Sequence, residues 1–247
     1  MRKVLIAIVI LLLFTGSTYF WFTKGKSDSV KDLEVAAKEI KELSNDVVIQ
    51  STDSSTVEPK VYWPLLEETN PDIFAWMCIP NTDISVPLLQ EKVLLEYYYL
   101  NHNYKQEYSA SGSVFTPAEP LGVEDAHLLL FGHRTKNKQV AFSSLFDYFG
   151  NEQSCKENPY VYIIYPKTTE KWQVWCACES TETDSVYEIP YVLGSDSYAE
   201  LLSHIASISS YTIGKPPTNN DKIVVLSTCN GEVGGSERFY VVLKLAE

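Results

Sequence analysis

The sequence predicts a mainly β protein, a barrel or sandwich with a few helices inserted. Three observations lead there. About eight or nine short apolar runs follow one another with turn residues between them, the spacing of an all-β domain. Aromatic residues make up 13% of the chain, with 16 tyrosines, and such residues favour strands. The last stretch, 222–247, reads as a β-hairpin: IVVLS and RFYVVLKL are apolar β-type runs joined by a loop with Gly234 and Gly235. No internal repeat is visible.

The chain opens with a targeting segment. Arg2 and Lys3 precede an apolar stretch from Val4 to Phe22, and Lys24 and Lys26 follow it. The run is about long enough to span a bilayer. Thr15, Gly16 and Ser17 after its most apolar part resemble a cleavable signal. Tyr19 to Phe22 extend it with an interfacial aromatic belt, which favours an uncleaved anchor. Either way the bulk of the chain is exported. The expected organisation is a cytoplasmic tip and membrane anchor over 1–26, an extracytoplasmic helix and linker over 27–60, and the β domain over 61–247.

In the linker region, Leu33, Ala36, Ala37, Ile40 and Leu43 recur at helical spacing, and Ser29 with Asp32 resembles a capping box. This helix is expected to pack on the domain. Residues 45–60 are rich in Ser and Thr and read as a loop. WPLLEETNP suggests a short helical turn. Strands are expected at FAWMCIP, ISVPLLQ, YYYLNHN, GSVFTP and HLLLFGH, with a turn at Asn81 to Asp83. AFSSLFDYFG is a short amphipathic helix with Phe142, Leu145 and Phe149 on one side. YVYIIYP and EKWQVWCACES are longer strands, 181–196 an irregular loop, and SYAELLSHIASISS a helix.

A net charge of −12 argues against a nucleic-acid partner, since no basic patch exists to neutralise phosphate. There are five cysteines, and in an exported chain an odd number leaves at least one thiol unpaired. Cys176 and Cys178 share a strand face, and with Cys78 and Cys155 read as ordinary buried cysteines. No CxxC or HxxxH spacing supports a metal site, and no phosphate loop or HExxH helix supports a nucleotide or metalloprotease centre.

Cys229 is the candidate reactive thiol. It ends one strand of the hairpin while Arg238 begins the other, so antiparallel pairing makes them neighbours. A thiol nucleophile needs a base or acid. Of the four histidines, His204 lies in a helix and reads as structural, and His127 begins a strand. His133 follows Gly132 at a strand end, where glycine permits close backbone approach, and is the leading partner; His102 is the next.

These residues carry a resemblance. LSTC ending in Cys229, ERF carrying Arg238 and FGH carrying His133 resemble the sortases, cysteine transpeptidases of Gram-positive cell surfaces. NPDIFAWMCIPNTDISVPLLQ, YLNHNYKQEYSASGSVF and AFSSLFDYF resemble class B in particular, as do the N-terminal helix and the helix at 197–210. One departure is Phe131, where the family commonly has tyrosine. The cysteines at 155–178 are more than the family leads one to expect.

The resemblance implies a closed, eight-stranded barrel with the three residues at one rim and no cofactor. Cys229 would be the nucleophile, His133 the general acid and base, and Arg238 the donor to the substrate carbonyl and oxyanion. Thr228, Ser227 and Asn101 would be substrate contacts. The implied substrates are exported proteins with a C-terminal Asn-Pro-x-Thr-like sorting signal, and the implied acceptors a cell-wall precursor amine or a pilin lysine. The implied location is the cell membrane, single-pass, with the catalytic domain outside. A secreted cysteine protease and a non-catalytic surface module are the alternatives.

Overall fold

The computed structural model describes residues 31–49, 59–90, 97–117, 125–134, 142–188, 190–230 and 235–246. The apolar segment read as an anchor lies outside them. Among the described residues no helix is long and apolar enough to cross a membrane.

Among the described residues eleven strands form, of which β1 (Val48–Ile49) and β2 (Lys60–Val61) make a small separate ladder. The other nine share one sheet: β3 (Ile73–Cys78), β4 (Ser85–Gln90), β5 (Val114–Thr116), β6 (His127–Phe131), β7 (Tyr160–Ile164), β8 (Thr169–Thr181), β9 (Ser209–Thr212), β10 (Ile223–Cys229) and β11 (Glu237–Leu245). Their order is β11-β10-β6-β5-β4-β3-β7-β8-β9, and β8 also pairs with β11. That pairing closes the eight strands from β11 round to β8, which is the barrel the sequence led us to expect. The length of β8 makes this possible. One edge pairs with β11, while the other pairs first with β7 and then with β9.

The pattern of burial explains why several strands read as unbroken apolar runs. Along β10, Val224 and Leu226 enter the barrel core, while Ile223 and Val225 enter a second cluster against helix α5 (Asp196–Ile208). On β11, Val241 and Leu243 face inward, while Tyr240 and Val242 face that same cluster. A strand covered on both faces needs apolar residues at every position. A third cluster lies under helix α1, residues 31–47, with Leu43 and Val47 packed beside Trp76, Leu89 and Tyr99. Helix α2 (Trp63–Thr69) adds Leu66 to it. The N-terminal helix therefore docks on the domain as expected.

Four segments depart from the sequence reading. Residues 45–60, expected to be a loop, carry the last turn of α1 and, in Val48–Ile49 and Lys60, most of the β1–β2 ladder. YYYLNHN is not a strand; Tyr98–Leu100 form a 3-10 turn. Local contacts override the β preference of the tyrosines: the Tyr98 ring stacks on His102 at 3.8 Å, and Tyr99 turns inward to donate to Asp72 at 2.7 Å. After helix α3 (Leu145–Phe149) comes an unforeseen α4 (Glu152–Glu157), capped by Asn151, whose side chain accepts from the Ser154 N–H. The tail of the SYAELLSHIASISS segment leaves the helix to become β9.

Candidate active site

β10 and β11 run antiparallel with Cys229 directly opposite Arg238. The ladder continues one bond further, from the Asn230 N–H to the Glu237 carbonyl at 2.9 Å. The Arg238 side chain is only 19% exposed. Its Nη1 donates to the carbonyls of Gly235 at 2.6 Å and Glu237 at 2.9 Å. Nη2 donates to Glu182 at 2.8 Å. These bonds fix the plane of the guanidinium. Its Nε–H and one Nη2–H have no partner among the described residues, which leaves donors for a ligand.

His133 reaches the same rim from another strand. β6 lies parallel to β10 with Phe131 beside Ser227. Continuing that register two residues sets His133 level with Cys229. The turn depends on Gly132, whose N–H donates to the Ser227 carbonyl at 3.1 Å. A Cβ on Gly132 would meet the Phe142 ring at 2.5 Å, so no other residue fits without displacing that core side chain. Nε2 of His133 lies 2.6 Å from the Leu100 carbonyl oxygen. A carbonyl only accepts, so Nε2 carries a proton, and Nδ1 is the nitrogen left to exchange one.

Cys229, His133 and Arg238 line one pocket of about 390 Å³. Its wall is aromatic. Phe131 stacks on Tyr187 at 6.0 Å and meets the edge of Tyr97 at 6.2 Å. The Tyr187 hydroxyl pairs with that of Ser227 at 2.8 Å. Burial, offset in part by the Ser227 bond, pushes the Tyr187 phenol up to about 12, so it is neutral at physiological pH. Tyr187 sits on a 3-10 turn, Ser185–Tyr187, capped by Asp184. The Asp184 carboxylate is buried and accepts from Ser180, from the Val186 N–H at 2.9 Å and from His204 at 3.0 Å. Burial alone would raise its pKa. The three hydrogen bonds outweigh burial and leave it below the usual range.

A clamp joins the residues that follow the thiol and the imidazole. Asn230 accepts from Arg134 at 2.7 Å and donates to Glu179 at 2.8 Å. The Arg134 guanidinium also lies over the Phe146 ring at 5.0 Å.

The other residues singled out in the sequence fall into two groups. Ser227 and Thr228 line the pocket but are buried, and Thr228 Oγ1 has no partner among the described residues. Asn101 is exposed beside Leu100 and is not among the residues lining the pocket. His102 is committed to Tyr98, by ring stacking and by an Nδ1 contact to its carbonyl oxygen at 2.8 Å. His127 is fully buried, and His204 serves Asp184. All five cysteines are free thiols. Cys155, Cys176 and Cys178 are fully buried, and burial pushes Cys155 up to about 11 and Cys176 further. Cys155 and Cys176 are inert by that criterion. Cys229 is half-buried and opens on the pocket. Sequence reasoning missed Tyr187, Glu182, Arg134 and Asn230. The first two lie in 181–196, which the sequence marks only as an irregular loop.

No family model matches the sequence. Sortase B of Listeria monocytogenes is 28% identical over 168 residues, 68% of this chain and 66% of that protein, just under two thirds of its length. Among solved structures, Clostridium perfringens sortase B superposes with a TM-score of 0.67 at 26% identity, covering 75% of this chain and 100% of that one. Sortase B from Bacillus anthracis gives 0.71 at 25% identity, covering 88% and 99%.

Proposed function

Since this chain belongs to the class B sortases, a family of cysteine transpeptidases, we propose that it is a membrane-anchored enzyme that cuts a C-terminal Asn-Pro-x-Thr-like sorting signal of exported proteins and joins the new carboxyl end to an amine at the Gram-positive cell surface. The anchor is residues 1–26. The observation that carries the reading is the meeting of Cys229, His133 and Arg238 in one pocket.

The reaction runs in two halves. The Cys229 thiolate attacks the carbonyl carbon after the threonine and forms a C–S bond. The carbonyl π electrons move to oxygen, where the free N–H groups of Arg238 donate to the developing charge. The intermediate collapses, the C–N bond breaks, and imidazolium His133 gives its Nδ1 proton to the leaving amine. In the second half neutral His133 takes a proton from the incoming amine, which attacks the thioester. The C–S bond breaks and thiolate is regenerated. The Nε2–H to Leu100 bond holds the ring in one orientation throughout, whichever form Nδ1 is in. Ser227 and Thr228 lie where the acyl half would rest, and Tyr187 and Phe131 wall it. Asn101, on the turn beside Leu100, would meet the motif from the open side.

The test is incubation with a panel of sorting-motif peptides and mass spectrometry for a thioacyl adduct on Cys229, with and without hydroxylamine or triglycine. The adduct and its diversion to amide products are expected. An adduct that only water resolves points to a secreted protease, and a Cys229 that resists thiol reagents in the folded protein points to a binding module.

A further inference from the structure

Two of the three rim residues come from one hairpin, but His133 does not. β6 and β10 pair as far as Phe131 and Ser227, and one further bond runs from the Gly132 N–H to the Ser227 carbonyl at 3.1 Å. Past it, the described residues show no main-chain hydrogen bond between the His133 segment and the Cys229 segment. Strand pairing therefore stops just short of the two groups whose separation the reaction depends on. The Leu100 carbonyl orients the imidazole, but it lies on another turn and does not tie the ring to the thiol.

One side chain bridges the gap. Asn230 follows the thiol and Arg134 follows the imidazole, and Arg134 Nη1 donates to Asn230 Oδ1 at 2.7 Å. Asn230 Nδ2 donates to Glu179 Oε2 on β8 at 2.8 Å. A guanidinium only donates and a carboxylate only accepts, so the amide has one orientation. The Asn230 N–H donates to the Glu237 carbonyl at 2.9 Å, and that same oxygen accepts from Arg238 Nη1 at 2.9 Å. Arg134 is seated on the Phe146 ring at 5.0 Å, and Phe146 meets Phe239 of β11 at 4.9 Å. Asn230 is thus covalently next to Cys229, bonded to the residue next to His133, and shares an acceptor with Arg238.

From this geometry we propose that Asn230 is a positioning residue, whose amide holds the His133 segment against the Cys229 strand end at the separation that proton transfer requires. The proposal rests on the transpeptidase reading above. The residue type matters. An aspartate would accept from Arg134 but would set a second carboxylate against Glu179. A leucine of similar size offers neither bond. Since a displacement of about 1 Å costs a reacting centre on the order of 100-fold, even partial loosening at the rim should show in turnover.

The measurements are kcat and KM for a sorting peptide with hydroxylamine as acceptor, per active site counted by Cys229 alkylation, together with the melting temperature. Asn230→Leu should lower kcat about tenfold while KM stays within about twofold of wild type. Asn230→Asp should lower kcat about fivefold, and adding Glu179→Gln, whose amide can donate to the new carboxylate, should return it to within about twofold of wild type. Rescue of that kind reads the bond pattern itself, and a general loss of stability would not produce it. A lower melting temperature with unchanged kcat in Asn230→Leu overturns the proposal. So does a loss in Asn230→Asp that is absent, or that Glu179→Gln leaves in place. If Asn230→Leu fails to fold, Arg134→Met keeps an apolar stem on Phe146 and deletes the donor; there a fall in kcat of about fivefold is expected, and none overturns the proposal. If the wild-type enzyme forms no thioacyl adduct with any sorting peptide, the transpeptidase reading itself falls and the positioning role with it. Normal turnover in Asn230→Leu removes only the positioning role.

Discussion

His133 Nε2 is held 2.6 Å from the main-chain oxygen of Leu100, on a turn that the sequence separates from it by more than thirty residues. Gly112 packs directly against that oxygen. Gly112 has φ +55, and a Cβ there would lie 2.5 Å from the Leu100 oxygen. Gly112→Ala should push the carbonyl away and release the imidazole. We expect kcat/KM for a sorting peptide to fall about tenfold or more, since small misplacements of a catalytic group cost on that order. The strained backbone should cost about 1–3 kcal/mol of stability. Peptide turnover and urea unfolding measure the two effects separately. Unchanged turnover in a destabilised variant would show that the carbonyl does not govern His133.

Arg238→Lys separates charge from geometry. The guanidinium is gripped by Gly235, Glu237 and Glu182 while its remaining N–H groups stay available. An ammonium is a point charge and cannot both hold those partners and present a fixed donor. A loss of about 100-fold in kcat is expected, the scale of losing one oxyanion donor. The melting temperature should move little, because the residue sits at the rim. Near wild-type turnover would remove Arg238 from the mechanism.

Most of the barrel and the three rim residues were legible in the chain because their signals are local. Doubly covered strands such as IVVLS announce themselves as apolar runs, and a hairpin sets Cys229 opposite Arg238 whatever the rest of the fold does. The glycine before His133 marked a close approach, which the Phe142 ring now accounts for. What stayed hidden depends on contacts between distant segments. Nothing within YYYLNHN reveals that Tyr98 will stack on His102 and turn the chain out of a strand. Nor does any spacing reveal that Asn230 will reach Arg134, almost a hundred residues away. β9 was masked by the helical pattern running into it, while the cap at Asn151 was a readable sign of α4 that went unread.

Tyr187→Phe keeps the ring on Phe131 and removes only the hydroxyl. Ser227, buried, then loses its partner. A buried hydroxyl left unpaired costs about 1–3 kcal/mol. Because the phenol also lines the pocket, KM for the donor peptide should rise several-fold with kcat less affected. A pure stability effect with unaltered KM would assign Tyr187 to the scaffold alone.

Asp184→Asn tests the support beneath that wall. The carboxylate caps the turn carrying Tyr187 and accepts from Ser180, Val186 and His204. Its folded pKa is lowered, so the stability it confers is fully present above the ordinary carboxylate value of about 4 and is lost as pH falls from there through the lower folded value. In the asparagine variant that loss should be absent, overall stability at pH 7 should be lower by about 1–3 kcal/mol, and donor KM should rise alongside. Identical acid limbs in the two proteins would count against the carboxylate.

His127 governs the milder acid range. Its ring is fully buried, edge-on to Tyr191, and neither nitrogen has a partner among the described residues. Burial lowers its pKa from 6.5 to about 4. Above pH 6.5 the ring is neutral in both the folded and the unfolded chain and has no effect on the pH profile. Below it the unfolded chain binds a proton that the folded one refuses, so stability falls with pH until about pH 4, where the folded ring also protonates. The full loss over that window is about 3 kcal/mol. His127→Leu should flatten the profile between those limits while leaving the carboxylate-driven loss at lower pH in place. Urea unfolding of both proteins at pH 7, 5.5 and 4.5 measures it. Equal slopes would mean that the buried ring is charged, or reaches water, in the folded state.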